Sequence, residues 1–302
     1  MRKLHPTAIA PRIEAFPAAP TPGARYAVLI PTWNNLPFLE LCLGSLRRHS
    51  ALAHEVVLHV NEGSDGTREW VRRQGIAHTW SERNAGVCWG INAAAALSTA
   101  PLLVYLNDDM YCCPGWDAPL LAAAEAAGPD RCFLSATAIE AGTRNRACYG
   151  GRDFGRTPDT FREAELLAAL PGLTRPDWSG ASHPPNLVSR RLWDLVGGYS
   201  VEYSPGHSSD YDFSMKLWRA GVRDFRGIAA SKVYHFGKVS TRRLRSGEGR
   251  GTFARKWLVP ASWYYRSALR IGQDYAGPRP EMESLPDYGW ARLKAWRYFL
   301  GS

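Results

Sequence analysis

Two adjacent carboxylates, Asp108 and Asp109, follow an apolar run that ends at Leu106, with Asn107 before them. Like charges this close raise a pKa or recruit a cation. Mg²⁺ and Mn²⁺ prefer carboxylate and phosphate oxygens, so Asn107-Asp108-Asp109 reads as a corner that handles a cation. An ordinary Asn/Asp turn after a strand explains the same residues. On the residues alone the two readings balance. Other chemistry-bearing residues are dispersed. Asp210 opens a helical pattern, and His235 closes a short strand-like run, Lys232–His235. Two polar clusters, Pro31-Thr32-Trp33-Asn34-Asn35 and Asn61-Glu62-Gly63-Ser64-Asp65, also follow apolar runs.

The elements that must position these groups alternate. Tyr26–Ile30 reads as a buried strand ending at Pro31. Leu36, Leu39, Leu43 and Leu46 then share one helix face, with Asn34 or Asn35 as cap and Pro37 in the first turn. Glu55–Val60 is a second strand. Thr67–Arg73 starts a helix that Ser64 or Asp65 can cap. Ala77–Trp80 is a short third strand, Gly86–Leu97 an alanine-rich helix, and Leu102–Leu106 another strand. Such alternation predicts an α/β fold with a mostly parallel sheet flanked by helices. Ligands of such sheets lie beyond the carboxyl ends of the strands, where the clusters at 31–35, 61–65 and 107–109 fall.

Farther on, Pro119–Ala127 reads as a helix and Cys132–Ile139 as a strand. The stretch 142–185 is rich in Gly, Pro, Arg and Asp, with one helix at Phe161–Leu170, and suits a substrate-facing insertion. Leu187–Ser189 follows as a strand edge, then helices at Arg190–Val196 and Asp210–Arg219.

Composition is that of a folded domain: 302 residues, 45% apolar and 22% charged. The net charge of +9 allows nucleic acid, an anionic membrane face or a phosphate-bearing substrate, and cannot choose among them. Six cysteines form no C-x-x-C ladder and read as reduced thiols of a cytoplasmic chain. No charged segment followed by a long apolar run opens the sequence, so no secretory signal is expected. No stretch nears the roughly 18 consecutive apolar residues of a membrane span. The first 23 residues, with five prolines, read as an extended lead-in.

Taken in order, several segments resemble the inverting glycosyltransferases of family 2, which have the Rossmann-like GT-A fold. Pro31-Thr32-Trp33-Asn34-Asn35 is similar to the family's opening loop. Asn61-Glu62-Gly63-Ser64-Asp65 stands where two acids and Gly-Ser are usual. Asn84-Ala85-Gly86 with Asn92 resembles its Asn-x-Gly helix start, and Asn107-Asp108-Asp109 its acidic metal motif. Gly197-Gly198-Tyr199, then Ser209-Asp210-Tyr211-Asp212-Phe213 with Leu217 and Gly221, resemble its acceptor-side motif and helix; His235 follows one strand later. Each segment is weak alone, and the resemblance rests on their shared order from Tyr26 to Gly237.

The resemblance implies a GT-A catalytic domain over 24–240, with a nucleotide-sugar half at 24–110 and an acceptor half at 111–240. A basic, aromatic C-terminal extension covers 241–302. It implies a metal-dependent inverting transferase that uses a nucleoside-diphosphate sugar, a UDP-sugar foremost. Thr32 and Glu62 would hold the base, in a pocket shaped by Pro31 and Asn34. Asp65, Arg83 and Asn84 would also face the nucleotide. Asp108 would approach the ribose or metal shell, and Asp109 would be the main ligand of Mn²⁺ or Mg²⁺, joined by His235. Lys238 with Arg242 or Arg243 would hold the diphosphate; a plain surface cluster of cations is the equal alternative. Asp210 would be the general base. A carboxylate near a helix start stays ionised easily, and simple capping of that helix accounts for the residue as well. Trp178, His183, Asn186, His207 and Asp212 are the acceptor-side candidates.

Two departures stand out. Ser209 replaces the Glu usual before the base, and Asn61 replaces the first acid of the second-strand turn. The acceptor implied is a cell-envelope glycan or a lipid-linked oligosaccharide. Aromatics and cations interleave in the tail, with Trp257, Trp263, Tyr264 and Tyr265 near Arg255, Lys256 and Arg266. Trp290, Trp296, Tyr298 and Phe299 recur near Arg292, Lys294 and Arg297. That pattern suits peripheral contact with the inner face of the cell membrane. Packing on the catalytic domain, or on the second subunit of a homodimer, explains it too and is slightly favoured. A sugar-phosphate nucleotidyltransferase would need a Gly-rich basic loop after the first strand, which Pro31-Thr32-Trp33-Asn34 is not. Nucleic-acid binding lacks a reader motif. A catalytically inactive binding member of the family remains an alternative, opposed by Asp109, Asp210 and His235.

Overall fold

The run Tyr26–Ile30 is apolar at every position because both of its faces are covered. Tyr26, Val28 and Ile30 enter one core, and Ala27 and Leu29 enter another on the opposite side. The computed structural model describes residues 10–142, 145–237 and 249–300. In chain order the elements are β1 Ile13–Phe16, β2 Tyr26–Trp33, α1 Leu36–His49, β3 His54–Asn61, α2 Thr67–Arg73, β4 Ala77–Ser81 and α3 Val87–Ala95. Then come β5 Leu102–Tyr105, β6 Met110–Cys112, α4 Asp117–Ala127, β7 Cys132–Glu140, β8 Tyr149–Gly150, α5 Glu163–Ala169 and β9 Trp178–Ser179. β10 Asn186–Ser189, α6 Arg190–Val196, α7 Ser209–Arg219, β11 Asp224–His235, α8 Gly249–Trp257, α9 Ala261–Trp263 and α10 Tyr288–Leu300 complete the chain.

One sheet runs β1-β4-β3-β2-β5-β10-β7-β11-β6, with β8 beside β7 and β9 beside β11. It is mixed, which corrects the expectation of a mostly parallel sheet. β2, β3, β4 and β5 pair in parallel, as do β7 with β11 and β7 with β8. β1 on β4, β10 on both β5 and β7, and β11 on both β6 and β9 are antiparallel. Helical crossovers deliver the early strands in one sense, as a parallel neighbour requires. The Gly- and Pro-rich middle instead brings β10 back between β5 and β7 in the opposite sense. The proline-rich lead-in supplies β1, which covers the β4 edge.

β2 does not stop at Pro31 but continues in register with β3 to Trp33 and Asn61. Its pairing with β5 ends at Leu29 and Tyr105, and the Leu29 carbonyl accepts from the Leu106 amide. Pro31, two residues on, falls on that same side, where the ladder has ended and no N–H is required. β2 therefore carries Thr32 beyond the sheet and into the cleft.

α1, α2 and α4 cover one face, where Leu39, Leu43 and Leu46 join Leu120 and Leu121. α3, α6 and α7 cover the other, where Ile91, Trp193 and Phe213 meet the C-terminal extension through Phe253, Tyr264 and Leu269. All six cysteines are free thiols.

The extension is also fastened through Asp212. Its fully buried carboxylate accepts from Ser200 Oγ at 2.5 Å and from Trp257 Nε1 at 2.8 Å, and it pairs with Lys256 Nζ at 2.9 Å. Asp212 thus joins α7 to α8 and has no face on the cleft, so its place among acceptor contacts is corrected to a structural clasp. Removing Asp212 leaves the Ser200 hydroxyl and Trp257 Nε1 without their buried acceptor, while Lys256 keeps Glu202. Asp212→Ala is expected to cost about 3 kcal/mol of stability, read as a lower midpoint in thermal or urea unfolding.

Candidate active site

Beyond the ends of β2, β5 and β7 lies a cavity of about 700 Å³. One wall of it includes Pro31, Thr32, Trp33, Asn61, Asn84, Asp108 and Asp109. Asp108 and Asp109 are each only 4% exposed. Thr32 Oγ1 donates to Asp108 Oδ2 at 2.7 Å. Asp109 meets His235, whose Nε2 lies 3.3 Å from Asp109 Oδ1. His235 Nδ1 donates to Glu140 Oε1 at 2.6 Å.

Strand pairing builds this chain of acid, imidazole and acid. β11 runs antiparallel to β6, so His235 faces Met110, and the Phe236 amide donates to the Asp109 carbonyl. β7, parallel to β11 on its other side, ends at Glu140. Burial alone would lower the His235 pKa. The Asp109 charge, then hydrogen bonds to Asp109 and Glu140, outweigh it and push the imidazole up to about 10. Burial first, then the charges of Asp108 and Asp109, push the nearby Cys42 thiol well above its usual pKa.

Asp109 and His235 converge as a carboxylate and an imidazole nitrogen with a carboxylate behind the ring, the arrangement that orients a metal-binding histidine. A cation there would replace the proton on Nε2. Among the described residues no three His, Cys, Asp or Glu side chains are grouped to hold a metal. The donor set therefore fits a divalent ion only as an incomplete shell, completed by water and substrate phosphate, as Mg²⁺ commonly is.

The second-strand turn is a brace rather than a wall. Asn34 and Glu62 both take left-handed backbone, with φ of 45° and 59°. Asn34 Nδ2 donates to Glu62 Oε2 at 3.1 Å, and Asn34 Oδ1 accepts from the Gly63 and Ser64 amides at 3.0 Å. Glu62 Oε1 accepts from the Asn84 amide at 3.3 Å. Asn61, buried, donates Nδ2 to the Thr32 carbonyl at 3.3 Å and accepts the Ala85 amide at 2.8 Å. A carboxylate could accept that amide but not donate to that carbonyl, which accounts for an amide where the resemblance leads one to expect an acid. Asp65 caps helices: Oδ2 accepts from the Leu36 amide, and Oδ1 from the Thr67 amide and hydroxyl. Asn34, Glu62, Asp65 and the exposed Arg83 are not on the cavity wall, whereas Pro31, Thr32, Asn84 and Asp108 are. Lys238, Arg242 and Arg243 lie outside the described residues.

Gly86 makes the two sides meet. Its φ is 81°, and a Cβ there would sit 2.7 Å from Pro205 Cα. The Val87 amide donates to the Pro205 carbonyl. The start of α3 thus touches the loop that leads into α7.

α7 presents Asp210 to the cavity from its first turn, after Ser208 in left-handed conformation. The Tyr199 hydroxyl donates to Asp210 Oδ1 at 3.4 Å. Burial pushes the Asp210 carboxyl up to about 7, and the Tyr199 bond opposes this only in part. The expectation that a helix start keeps it readily ionised is thereby corrected: burial outweighs the amide field. His183, Tyr211 and Tyr265 stand beside it, with Tyr211 edge-on to Tyr265 at 5.9 Å and to His183 at 5.8 Å. Burial lowers the His183 pKa.

The remaining candidates divide. His207 lines the cavity, and its buried Nδ1 has no hydrogen-bond partner among the described residues. Trp178 is part of the wall but largely core, its Nε1 donating to Thr137 Oγ1 at 2.9 Å. Asn186 is buried in β10, off the wall, and reaches the Ser182 carbonyl at 3.5 Å. Glu140, Tyr211 and Tyr265 were not among the sequence candidates. Tyr211 sits inside the Asp210 motif, and Glu140 directly follows a predicted strand; nothing in the sequence ties Tyr265 to this cavity.

Residues 27–165, from β2 through the Asp108–Asp109 corner to α5, match the family profile described as Glycosyl transferase family 2. Validoxylamine A glucosyltransferase of Streptomyces hygroscopicus subsp. limoneus is 31% identical over 144 residues, which span 44% of this chain and 29% of that protein. S. aureus TarS 1-349 in complex with UDP superposes with a TM-score of 0.50 at 13% identity, over 70% of this chain and 60% of that one. TarS 1-349 in complex with UDP-GlcNAc gives 0.52 at 13% identity, over 78% and 67%. At such identity these structures speak to the fold. The profile match over residues 27–165 and this GT-A-like sheet agree: the chain is similar to glycosyl transferase family 2 across its first strands and helices, and spans under a third of the length of the glucosyltransferase it matches.

A carboxyl whose pKa rises on folding binds its proton more tightly in the native state. Its stabilising effect is present below the unfolded value and is lost as pH climbs through about 7. Asp210→Asn removes that dependence. The melting temperature of the variant should gain on the wild type between acid and neutral pH and keep its lead above pH 7. Parallel curves at all pH values would contradict the burial of Asp210.

Proposed function

We propose that this chain is an inverting, divalent-metal-assisted glycosyltransferase. It would move a sugar from a nucleoside diphosphate, UDP foremost, to the hydroxyl of a cell-envelope glycan or lipid-linked acceptor. One observation carries the reading. A part-buried carboxyl that desolvation pushes up to about 7 and a buried acid pair, one member of it against an imidazole, line the same cavity. Titratable groups whose environments push them apart in this way serve as base and as charge-handling corner. The TarS complexes with UDP and UDP-GlcNAc support UDP as the nucleotide, and the glucosyltransferase relative supports a hexosyl donor.

In such a transfer the acceptor oxygen attacks the anomeric carbon as the bond to the diphosphate oxygen breaks. Inversion needs a base opposite the leaving group. Asp210 takes the acceptor proton; its raised pKa strengthens it as a base while leaving much of it ionised at neutral pH. Asp109 and His235 would hold the divalent ion, which supplies charge neutralisation for the leaving diphosphate. Thr32 fixes Asp108, and Glu140 holds the His235 ring. Lys238 and Arg242 or Arg243 would add cations to the diphosphate. Tyr211, Tyr265 and His183 offer ring faces and edges to an acceptor sugar.

Thermal unfolding with UDP-sugars and Mn²⁺ tests the donor side. A donor at a hundred times its Kd should stabilise the fold by about 2.7 kcal/mol. Asp109→Ala should lose the metal-dependent part of that shift. Asp210→Asn should keep donor binding and lose about 10²- to 10⁴-fold in transfer rate. In the wild type, transfer should rise with pH through about 7. Absence of a shift with any nucleotide sugar, with or without Mn²⁺, would defeat the reading.

Glu140→Gln tests the imidazole separately. Loss of an orienting carboxylate should weaken metal binding by about 10- to 100-fold, measured by titrating Mn²⁺ against donor-dependent stabilisation. An unchanged metal affinity would show that Glu140 does not position His235.

A further inference from the structure

α10 buries only part of its circumference. Ala291 and Ala295, four residues apart, are buried on the inner side, where the helix packs on α8. The outer side exposes Leu293 by 70%, Trp296 by 61% and Trp290 by 60%. A helix that has already buried its small face has no folding reason to present such residues to water. At 100° per residue, Leu293 lies at the middle of the outer side, with Trp296 and Trp290 to either hand. Arg292 and Lys294 lie beyond them, and Arg297 lies between Leu293 and Trp290. No acidic residue occurs from Tyr288 to Leu300. Lys294 Nζ sits over the Trp290 ring at 4.4 Å, so the aromatic patch carries its cation with it.

We propose that this outer face of α10 docks the protein on an anionic lipid bilayer, with Leu293, Trp290 and Trp296 at acyl-chain depth and Arg292, Lys294 and Arg297 at the phosphates. Indole rings and long cationic side chains suit that boundary, because each pairs an apolar body with a polar tip. Charge decides the occupant. A second copy of the same face would set three cations against three, whereas anionic lipid complements them and the overall charge of +9. Among the described residues no helix is long and apolar enough to cross a membrane, so the contact is peripheral. α10 rests on α8, whose Lys256 and Trp257 hold Asp212, two residues from Asp210. The bilayer-facing helix is thereby rigidly joined to the acceptor side of the cavity.

Co-sedimentation of the full chain with vesicles tests this without donor, metal or transfer, so its outcome is independent of the proposed activity. The wild type should bind phosphatidylglycerol–phosphatidylcholine vesicles and not phosphatidylcholine alone, with affinity falling as salt rises. Leu293→Glu with Trp296→Glu should abolish binding at an unchanged melting temperature. Arg292→Gln and Lys294→Gln, at exposed positions that leave the inner face intact, should each weaken it roughly fivefold. Failure of the wild type to bind anionic vesicles would overturn the proposal. So would undiminished binding by these variants, or a dimer in sedimentation equilibrium that Leu293→Glu dissolves while vesicle binding persists.

Discussion

Burying two adjacent carboxylates is the constraint around which the rest of the structure is arranged. Asp108 and Asp109 lie at the sheet's carboxyl edge with little water to solvate them, and a buried charge must be paired or hydrogen-bonded. Thr32 serves Asp108 and His235 serves Asp109. Each partner depends on a strand. Thr32 arrives because β2 runs past the end of its pairing with β5. His235 arrives because β11 extends over twelve residues, crossing a register shift between Ile228 and Lys232, to pair with β6 on one side and β7 on the other. Without the antiparallel β6–β11 ladder, no imidazole would stand beside Asp109. The mixed character of the sheet is therefore a requirement of the site.

That requirement explains which parts were legible in the sequence. The donor half announces itself because each strand is a short apolar run, each helix has a clear apolar face, and each polar cluster falls at a strand end. Thr67–Arg73 and Arg190–Val196 take their expected bounds for this reason. β6 is three residues long and follows two acids, so no periodicity could mark it. β10, antiparallel to both neighbours, has no helix before it to signal its direction. Roles were less legible than places. Glu62 and Asp65 stand where a nucleotide contact would, yet their oxygens are taken by the Asn84 amide and by two helix starts. Asn61 reads as a lost acid until its two hydrogen bonds show a need for both donor and acceptor.

The C-terminal extension was ambiguous because membrane-facing and core-facing aromatics have one composition. Packing separates them. Phe253, Trp263, Tyr264 and Leu269 complete the core that α3, α6 and α7 began. Tyr265 enters the cavity wall and meets Tyr211, so the extension shapes the site as well as covering the domain. Among the described residues of the extension, α10 carries most of the large apolar groups that face outward. One tail thus completes the core, lines the cavity and leaves an apolar side of α10 outward, divided by which side of each helix finds a partner.

The two acid centres of the cavity show how environment assigns roles to like residues. Asp109, buried, and Asp210, part-buried, are both aspartates on the wall of one cavity. Asp109 has a cation within reach in His235, itself pulled toward its charged form by two carboxylates. Asp210 has the hydroxyl of Tyr199 and, among the described residues, no ion pair, so its carboxyl holds its proton up to about neutral pH. A carboxylate with a cation beside it is already balanced by charge. It is well disposed to share a cation with phosphate. A carboxylate destabilised by burial is the reverse: each proton it accepts relieves the cost of its own ionisation. Under the proposed function, the same desolvation that weakens the fold at Asp210 is what would equip that residue to deprotonate a hydroxyl.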